Sequence, residues 1–164
     1  MYVKMKVGGI TMDPFSNMPI VILKDLKEKY AIPIWIGVYE ASAIAAKLED
    51  MELERPLTHD LLTNILTTLH AEVSRIEVYD IKDNTYYANI FFISDGEEIV
   101  IDSRPSDAIA LALRTEASIF VHKKVIDMSR KIDIGDDDKN KTKDEKWAEI
   151  LEGLNPEDFG KYKM

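Results

Sequence analysis

The sequence predicts an α+β fold in which two hairpin–strand–helix repeats pack their helices on a mixed or antiparallel β-sheet. One observation behind this prediction is the alternation of apolar and polar residues over residues 1–10 and 73–81, a pattern typical of half-buried strands. A second is the helical spacing of apolar residues over 40–51 and 107–114. A third is the similarity between the two halves of the chain.

Turn signals divide the chain into short elements. Gly8 and Gly9 predict a bulge or bend at the end of the first strand, and Pro33 predicts an edge position or a strand end. Asp95-Gly96 is a strong hairpin signal. The predicted strands cover residues 1–10, 19–23, 31–36, 73–81, 86–93, 98–101 and 118–121, and the predicted helices cover residues 40–51, 58–70, 107–114 and 125–130.

Polar residues mark two helix starts. Pro105 places one start within a residue or two of itself, because proline disfavours helix at the preceding residue and is tolerated in a first turn. Ser106 or Ser103 is the expected N-cap of that helix, and Asp107 suits the positive end of the helix dipole. Thr58 is the expected N-cap of the helix before it.

The repeat predicts where two polar corners meet. Residues 34–48 align with residues 99–113 at a constant offset, which indicates duplication of one unit with the 58–70 helix inserted between the copies. Chance similarity of apolar segments is the alternative. If a pseudo-twofold axis relates the copies, Glu40 at the first strand-to-helix corner and Asp107 at the second approach each other.

Length and composition bound the class of protein. The 164 residues suffice for one domain with a substantial core and are short for two. We predict one domain over residues 1–135, followed over residues 136–164 by a charged linker and a C-terminal amphipathic helix. No apolar run approaches the roughly 20 residues needed to span a bilayer, and the N-terminus lacks a signal-peptide pattern. These features predict a cytoplasmic protein without membrane contact.

Charge and cysteine content exclude several kinds of site. The net charge of −9 comes without an obvious basic face, so the chain gains little electrostatic steering toward nucleic acid. An acidic protein can still act on phosphate through metal ions. The absence of cysteine excludes disulfides, thiolate zinc sites and cysteine nucleophiles. The sequence also lacks HExxH and glycine-rich phosphate-loop motifs.

Polar residues at the corners are the candidates for chemistry. Carboxylates with a histidine can hold Mg²⁺ or Mn²⁺, which prefer oxygen ligands and leave waters for a phosphate substrate. A metal-activated water, with an arginine on the developing charge, would hydrolyse a phosphodiester. The candidates are Glu40, Arg55, His59, Asp60, Asp102, Ser103, Arg104, Ser106 and Asp107.

Each candidate also has a structural interpretation. His59, in the first turn of a helix, is a general base or metal ligand, or it is a surface residue that makes a hydrogen bond. Arg55 and Arg104 each precede a proline. In the functional interpretation each arginine contacts phosphate, and in the structural interpretation each binds carbonyls or acids near a helix start. Ser103 and Ser106 lack the GxSxG elbow of a serine nucleophile.

Four sequence blocks carry a family resemblance. In chain order they are Pro33-Ile-Trp-Ile-Gly37 followed by Glu40-Ala, then Arg55-Pro-Leu-Thr-His-Asp-Leu61, then Lys82-Asp-Asn-Thr-Tyr86, then Asp102-Ser-Arg-Pro-Ser-Asp-Ala-Ile109. Together they resemble the bifunctional nuclease domain family over about residues 1–130. The resemblance implies an α+β domain and a nuclease activity on both DNA and RNA, assisted by a divalent metal.

We therefore predict a nuclease site built from the polar members of these blocks. The alternative is a non-enzymatic module that binds a protein or a small ligand, in which the polar corners are purely structural. Exposed apolar strand edges favour a homo-oligomer. The predicted catalytic residues are Glu40, His59, Asp60, Asp102 and Asp107, the predicted substrate-binding residues are Arg55, Ser103, Arg104 and Ser106, and the predicted ligands of Mg²⁺ or Mn²⁺ are Glu40, Asp102 and Asp107.

Overall fold

The computed structural model describes residues 1–129 and 132–133. The predicted linker and C-terminal helix over residues 136–164 lie outside these described residues. None of the described helices is both long and apolar enough to cross a membrane. In chain order the elements are β1 (Tyr2–Met12), β2 (Pro19–Asp25), β3 (Tyr30–Trp35), α1 (Val38–Leu48), α2 (Thr58–Thr68), β4 (Ala71–Lys82), β5 (Thr85–Ser94), β6 (Glu97–Ser103), α3 (Pro105–Thr115), β7 (Ser118–His122), α4 (Lys123–Met128) and β8 (Ile132–Asp133).

All of the described strands belong to one mixed sheet in the order β6-β5-β4-β7-β1-β2-β3-β8. The sheet contains two antiparallel three-stranded units, β1–β3 and β4–β6, and each unit is followed by a helix. Strand β7 lies between the units, antiparallel to β1 and parallel to β4. The α+β prediction is therefore confirmed, and both halves have the predicted order of elements. The duplication itself stays a prediction.

The core lies between the sheet and the helices α1 and α3. Ile44 of α1 and Ile109 and Leu111 of α3 are fully buried, and they belong to one apolar cluster with residues of β2 and β4. Burying one such side chain stabilises the fold by about 1.5–3 kcal/mol. Helix α3 is the central helix, with seven buried residues, whereas α2 buries only His59. Helix α2 thus contacts the interior through the buried polar His59 and through the partly buried Leu66.

The turn signals of the sequence are confirmed by the backbone. The register between β1 and β2 shifts between Val7 and Gly9, and Gly9 has φ 141°. In the β5–β6 hairpin, Asp95 and Gly96 both have positive φ, as a type I′ turn requires. Pro33 pairs with β2 on one side, while the described part of β8 reaches only residues 30–31 on the other. Pro33 thus has the edge position in which its missing N–H costs no ladder hydrogen bond.

Two predictions of helix capping are wrong. Arg104, with φ −70° and ψ 145°, is the N-cap of α3, and its side chain makes no capping bond. Ser103 instead donates its hydroxyl proton to the Arg104 carbonyl at 3.3 Å, and Ser106 lies inside the first turn. Helix α2 begins at Thr58 itself, so Leu57 is its N-cap. Pro105 restricts the preceding Arg104 to the extended backbone that this N-cap adopts.

The end of α1 is also earlier than predicted. The apolar spacing predicts a helix to residue 51, but α1 ends at Leu48. Asp50 adopts a left-handed conformation with φ 48°, which is incompatible with continued helix. Helix α4 begins at Lys123, two residues before its predicted start.

Candidate functional site

The guanidinium of Arg104 joins the starts of α1 and α3. Its Nη2 lies 2.8 Å from Oε1 of Glu40 in α1, and its Nε donates to Oδ2 of Asp107 in α3 at 2.7 Å. The predicted approach of Glu40 and Asp107 is therefore confirmed, since both carboxylates bind one cation. Glu40, His59, Arg104 and Asp107 are called the Arg104 cluster below.

His59 joins this cluster from α2. Its Nε2 lies 3.0 Å from Oδ1 of Asp107, so the two oxygens of Asp107 bind different partners. Burial acts to raise the pKa of Asp107, but the hydrogen bonds from His59 and Arg104 outweigh it and lower the pKa below its ordinary value of 3.8. Asp107 is therefore ionised at neutral pH.

The ionised carboxylate of Asp107 fixes the tautomer of His59. A carboxylate only accepts hydrogen bonds, so Nε2 of His59 carries the proton that it shares with Asp107. In neutral His59 the other nitrogen, Nδ1, is then an acceptor. In the described part of the chain, every fully buried side-chain nitrogen or oxygen has a hydrogen-bond partner. Nδ1 of His59 has no partner there, so this atom is not fully buried. Nδ1 of His59 consequently keeps contact with solvent.

Arg104 is the solvent-facing cation of the cluster. Its side chain is 46% exposed, whereas that of Glu40 is 14% exposed. The hydrogen bond to Asp107 raises the pKa of Arg104 above its ordinary value, and the charges of Asp107 and Glu40 add to this effect. Tyr39, next to Glu40 in the first turn of α1, is 89% exposed. A permanent cation at the start of α3 and an aromatic ring at the start of α1 are thus both exposed.

A second ion pair lies on the other side of the α2 start. Arg114 donates its Nε to Oδ1 of Asp60 at 2.7 Å. Its Nη1 and Nη2 donate to the carbonyls of Ala110 and Ala43, which belong to α3 and α1. Asp60 also accepts from the backbone N–H of Leu57 at 2.9 Å. This Arg114 clamp, consisting of Arg114 with Asp60 and the two carbonyls, joins α1, α2 and α3.

The Arg114 clamp lowers the pKa of Asp60. Burial acts to raise the pKa of Asp60, but the Leu57 N–H and Arg114 outweigh it and lower the pKa below 3.8. Arg114 belongs to none of the motifs that predict a site from the sequence. Its only signal is that it is a charged residue near the end of an otherwise apolar helical run, a position usually explained by the helix dipole.

Arg55 lies apart from the Arg104 cluster, in a surface cleft of about 380 Å³. The cleft is bounded by the end of α1, the loop from Met51 to Leu57, the start of α2 and the end of α3. Asp60 and Arg114 form part of its wall. It is called the α1–α2 cleft below, and its lining residues are Ala46, Lys47, Met51, Leu53, Glu54, Arg55, Pro56, Leu57, Asp60, Asn64 and Arg114.

The remaining candidates, Asp102, Ser103 and Ser106, form no ion pair with the Arg104 cluster among the described residues. Asp102 is exposed near the end of β6, in register with Asn89 of β5. Ser103 bonds the Arg104 carbonyl, and Ser106 is buried in α3. The structure therefore brings together four of the predicted site residues, and it places Asp60 and Arg55 in the wall of one cleft.

The predicted metal ligands do not form a ready set. Among residues 1–129 and 132–133, no three His, Asp or Glu side chains are arranged to hold a metal ion. Glu40 and Asp107 are bridged by a guanidinium, and Asp102 is not part of their network. Carboxylate oxygens suit Mg²⁺ and Mn²⁺, but these two would have to share or release Arg104 to bind one.

Comparison with known proteins relates this chain to one family. The model of the family described as the bifunctional nuclease domain matches residues 21–133. An uncharacterized protein of Mycobacterium tuberculosis is 32% identical over 162 residues, which cover 95% of this chain and 97% of the relative.

Two plant relatives are more distant. Bifunctional nuclease 2 of Oryza sativa is 26% identical over 119 residues, covering 70% of this chain and 37% of the plant protein. Bifunctional nuclease 1 of Arabidopsis thaliana is 25% identical over 119 residues, covering 71% of this chain and 37% of the plant protein. The similarity therefore extends over little more than a third of each plant nuclease.

Proposed function

This chain belongs to the bifunctional nuclease domain family, and from that premise we propose that it hydrolyses phosphodiester bonds of DNA and RNA at the Arg104 cluster. The observation that carries the proposal is the arrangement of three groups. Asp107 orients His59, the same Asp107 holds Arg104, and Arg104 faces solvent. A general base and a phosphate-binding cation are thus fixed on one carboxylate.

In this proposal His59 accepts the proton of the attacking water. Its Nδ1 is the acceptor, because Nε2–H is bound to Asp107. Asp107 keeps the imidazole in this tautomer and stabilises the imidazolium that forms, as an acid partner does for histidine in other hydrolases. The water oxygen attacks phosphorus and the P–O bond to the leaving nucleoside breaks. The leaving oxygen takes up a proton from solvent, and the His59 imidazolium returns its proton to solvent.

Arg104 binds the phosphate and stabilises the charge that develops on its oxygens. Glu40 and Asp107 hold its guanidinium from two helices, so its orientation is set before substrate binds. Tyr39 supports a nucleic-acid substrate, since exposed aromatic rings stack on unpaired bases.

The Mg²⁺ or Mn²⁺ requirement expected from the sequence remains a prediction. With His59 neutral, the two carboxylates and one guanidinium of the cluster sum to a net charge of −1, which opposes phosphate binding. A bound cation would offset this charge. We expect EDTA to reduce cleavage and added Mg²⁺ or Mn²⁺ to restore it.

A cleavage assay tests the proposal. Single- and double-stranded DNA and RNA are incubated with wild type and with Asp107→Asn, which keeps the shape of the side chain but removes its charge. We expect cleavage to fall at least about 100-fold, because His59 loses its orienting carboxylate. The matched control is Glu97→Ala, which removes an exposed carboxylate of β6 and is expected to leave cleavage unchanged.

The assay has two contradicting outcomes. Equal cleavage by wild type and folded Asp107→Asn protein would remove the Arg104 cluster from the reaction. Absence of cleavage by wild type under every metal condition would favour the non-enzymatic binding module instead. Circular dichroism of both variants shows whether each is folded.

The predicted homo-oligomer also remains a proposal. Ile99, Val100 and Ile101 are exposed on β6, which pairs only with β5 among the described strands. An apolar edge strand is a surface that a second copy can pair with. Light scattering of wild type and Val100→Lys measures whether this edge joins copies.

A further inference from the structure

The α1–α2 cleft combines apolar walls with cationic side chains. Met51, Leu53 and Leu57 are exposed apolar residues on its wall, and Asn64 provides an amide that can both donate and accept hydrogen bonds. Exposed apolar side chains that line one concave surface are typical of a ligand site. The cleft is therefore suited to a ligand that has a flat apolar part and polar edges.

The charge of the cleft limits the ligand further. Its lining holds Lys47, Arg55 and Arg114 against Glu54 and Asp60, a surplus of one positive charge. Arg114 and Asp60 bind each other. Arg55 is exposed and has no ion-pair partner in the part of the chain that the structure describes, so its guanidinium is available to an anion. Lys47 lies 3.8 Å from Asp50, so Arg55 is the lining cation through which the cleft binds an anion.

The size of the cleft is consistent with one small molecule. Its volume of about 380 Å³ lies at the small end of ligand pockets. A nucleic-acid duplex is too wide to enter such a space, whereas a single base with its sugar and phosphate is comparable in size. The base would pack on Met51 and Leu53, and the phosphate would bind Arg55.

We propose that the α1–α2 cleft binds one nucleoside monophosphate unit, with its phosphate on Arg55 and its base on the apolar wall. This proposal deepens the proposed function and rests on it, because the unit is either a nucleotide of the single-stranded substrate or a released product. His59 and Asp60 are adjacent in α2, and they face the Arg104 cluster and the cleft respectively. A nucleotide in the cleft would therefore be separated from the reaction site by the start of α2.

Titration of the full chain with 5′-AMP, followed by amide NMR shifts, tests the proposal. We expect shifts at Arg55 and Asn64, with adenosine and inorganic phosphate each binding at least about tenfold more weakly than 5′-AMP. Arg55→Ala should weaken 5′-AMP binding about tenfold, and Arg55→Lys should weaken it less because the charge remains. The matched control, Lys27→Ala, removes an exposed cation of the β2–β3 turn and should change affinity by less than about twofold.

The outcomes separate this proposal from the proposed function. Absence of 5′-AMP binding at the cleft, or equal binding by wild type and Arg55→Ala, overturns the cleft proposal even if the protein cleaves nucleic acid. Binding that depends on Arg55 in a protein without nuclease activity supports the cleft and overturns the nuclease proposal. Displacement of 5′-AMP by a single-stranded oligonucleotide assigns the cleft to the substrate strand, and lack of displacement assigns it to the free nucleotide.

Discussion

The two arginines of α3 have opposite environments at the two ends of one helix. Arg104 binds two carboxylates, and its side chain is 46% exposed. Arg114 binds one carboxylate and two carbonyls, and its side chain is 6% exposed. An exposed cation can contact a ligand at little cost, whereas a buried one is committed to the fold. The comparison therefore separates a candidate phosphate contact from a structural clamp within eleven residues of helix.

The largest effect is expected where the clamp is broken. Arg114→Met keeps most of the side-chain volume but removes the side-chain hydrogen bonds to the carbonyls of Ala43 and Ala110, and it leaves Asp60 without its cation. We expect the free energy of unfolding in urea to fall by about 3 kcal/mol. The matched variant Arg104→Met should lose no more than about 1 kcal/mol, because its ion pairs are partly exposed. Equal losses in the two variants would contradict the distinction between clamp and site.

The next largest effect is a loss of activity, which we expect from substitution of Arg104 rather than of Arg114. Arg104→Met should lower kcat/KM about 100-fold, which corresponds to about 2.7 kcal/mol of transition-state stabilisation. Arg104→Lys should recover only part of this loss, because an ammonium cannot bridge Glu40 and Asp107 in the way that a planar guanidinium does. Unchanged kinetics in both folded variants would show that Arg104 is structural.

A smaller effect is expected on the free energy of unfolding at acidic pH. The pKa values of Asp60 and Asp107 are both lower in the folded protein than the ordinary 3.8, so their contribution to stability is complete above that value. It is lost as the pH falls through the lowered folded-state pKa values, since folded carboxylates must then take up protons. In Arg104→Met, Asp107 keeps fewer partners. The difference in unfolding free energy between wild type and this variant should be constant above about pH 5 and should shrink below 3.8. A difference that stays constant down to pH 2.5, well below 3.8, would contradict the role of Asp107.

The smallest effect is expected at the start of α2. Thr58 is the first helical residue and not the N-cap, and the Leu57 N–H is bound by Asp60 instead. Thr58→Ala should therefore change the unfolding free energy by less than about 0.5 kcal/mol, whereas loss of a true cap costs about 1 kcal/mol. A larger loss, measured in urea, would restore Thr58 as a capping residue.

Local chemistry explains which predictions from the sequence are confirmed. The Asp95-Gly96 hairpin, the Gly9 bulge and the start of α3 at Pro105 depend on backbone restrictions of single residues, and those restrictions act wherever the residues are placed. The caps predicted at Ser103, Ser106 and Thr58 are wrong because capping depends on the surrounding fold and not on one residue alone. Several side chains near a helix start can bond its free N–H groups, and the surrounding fold decides which of them does so.

The sequence by itself determined the α+β class, the order of strands and helices, and the four blocks that place the chain in its family. It also predicted that Glu40 and Asp107 approach each other, because the two halves of the chain have the same order of elements. Only the tertiary structure decided that Arg104 bridges these carboxylates, that Asp107 orients His59, and that Arg114 binds Asp60. Such pairings join residues from separate helices, so they depend on how α1, α2 and α3 pack, and hydrophobic burial along the whole chain decides that packing.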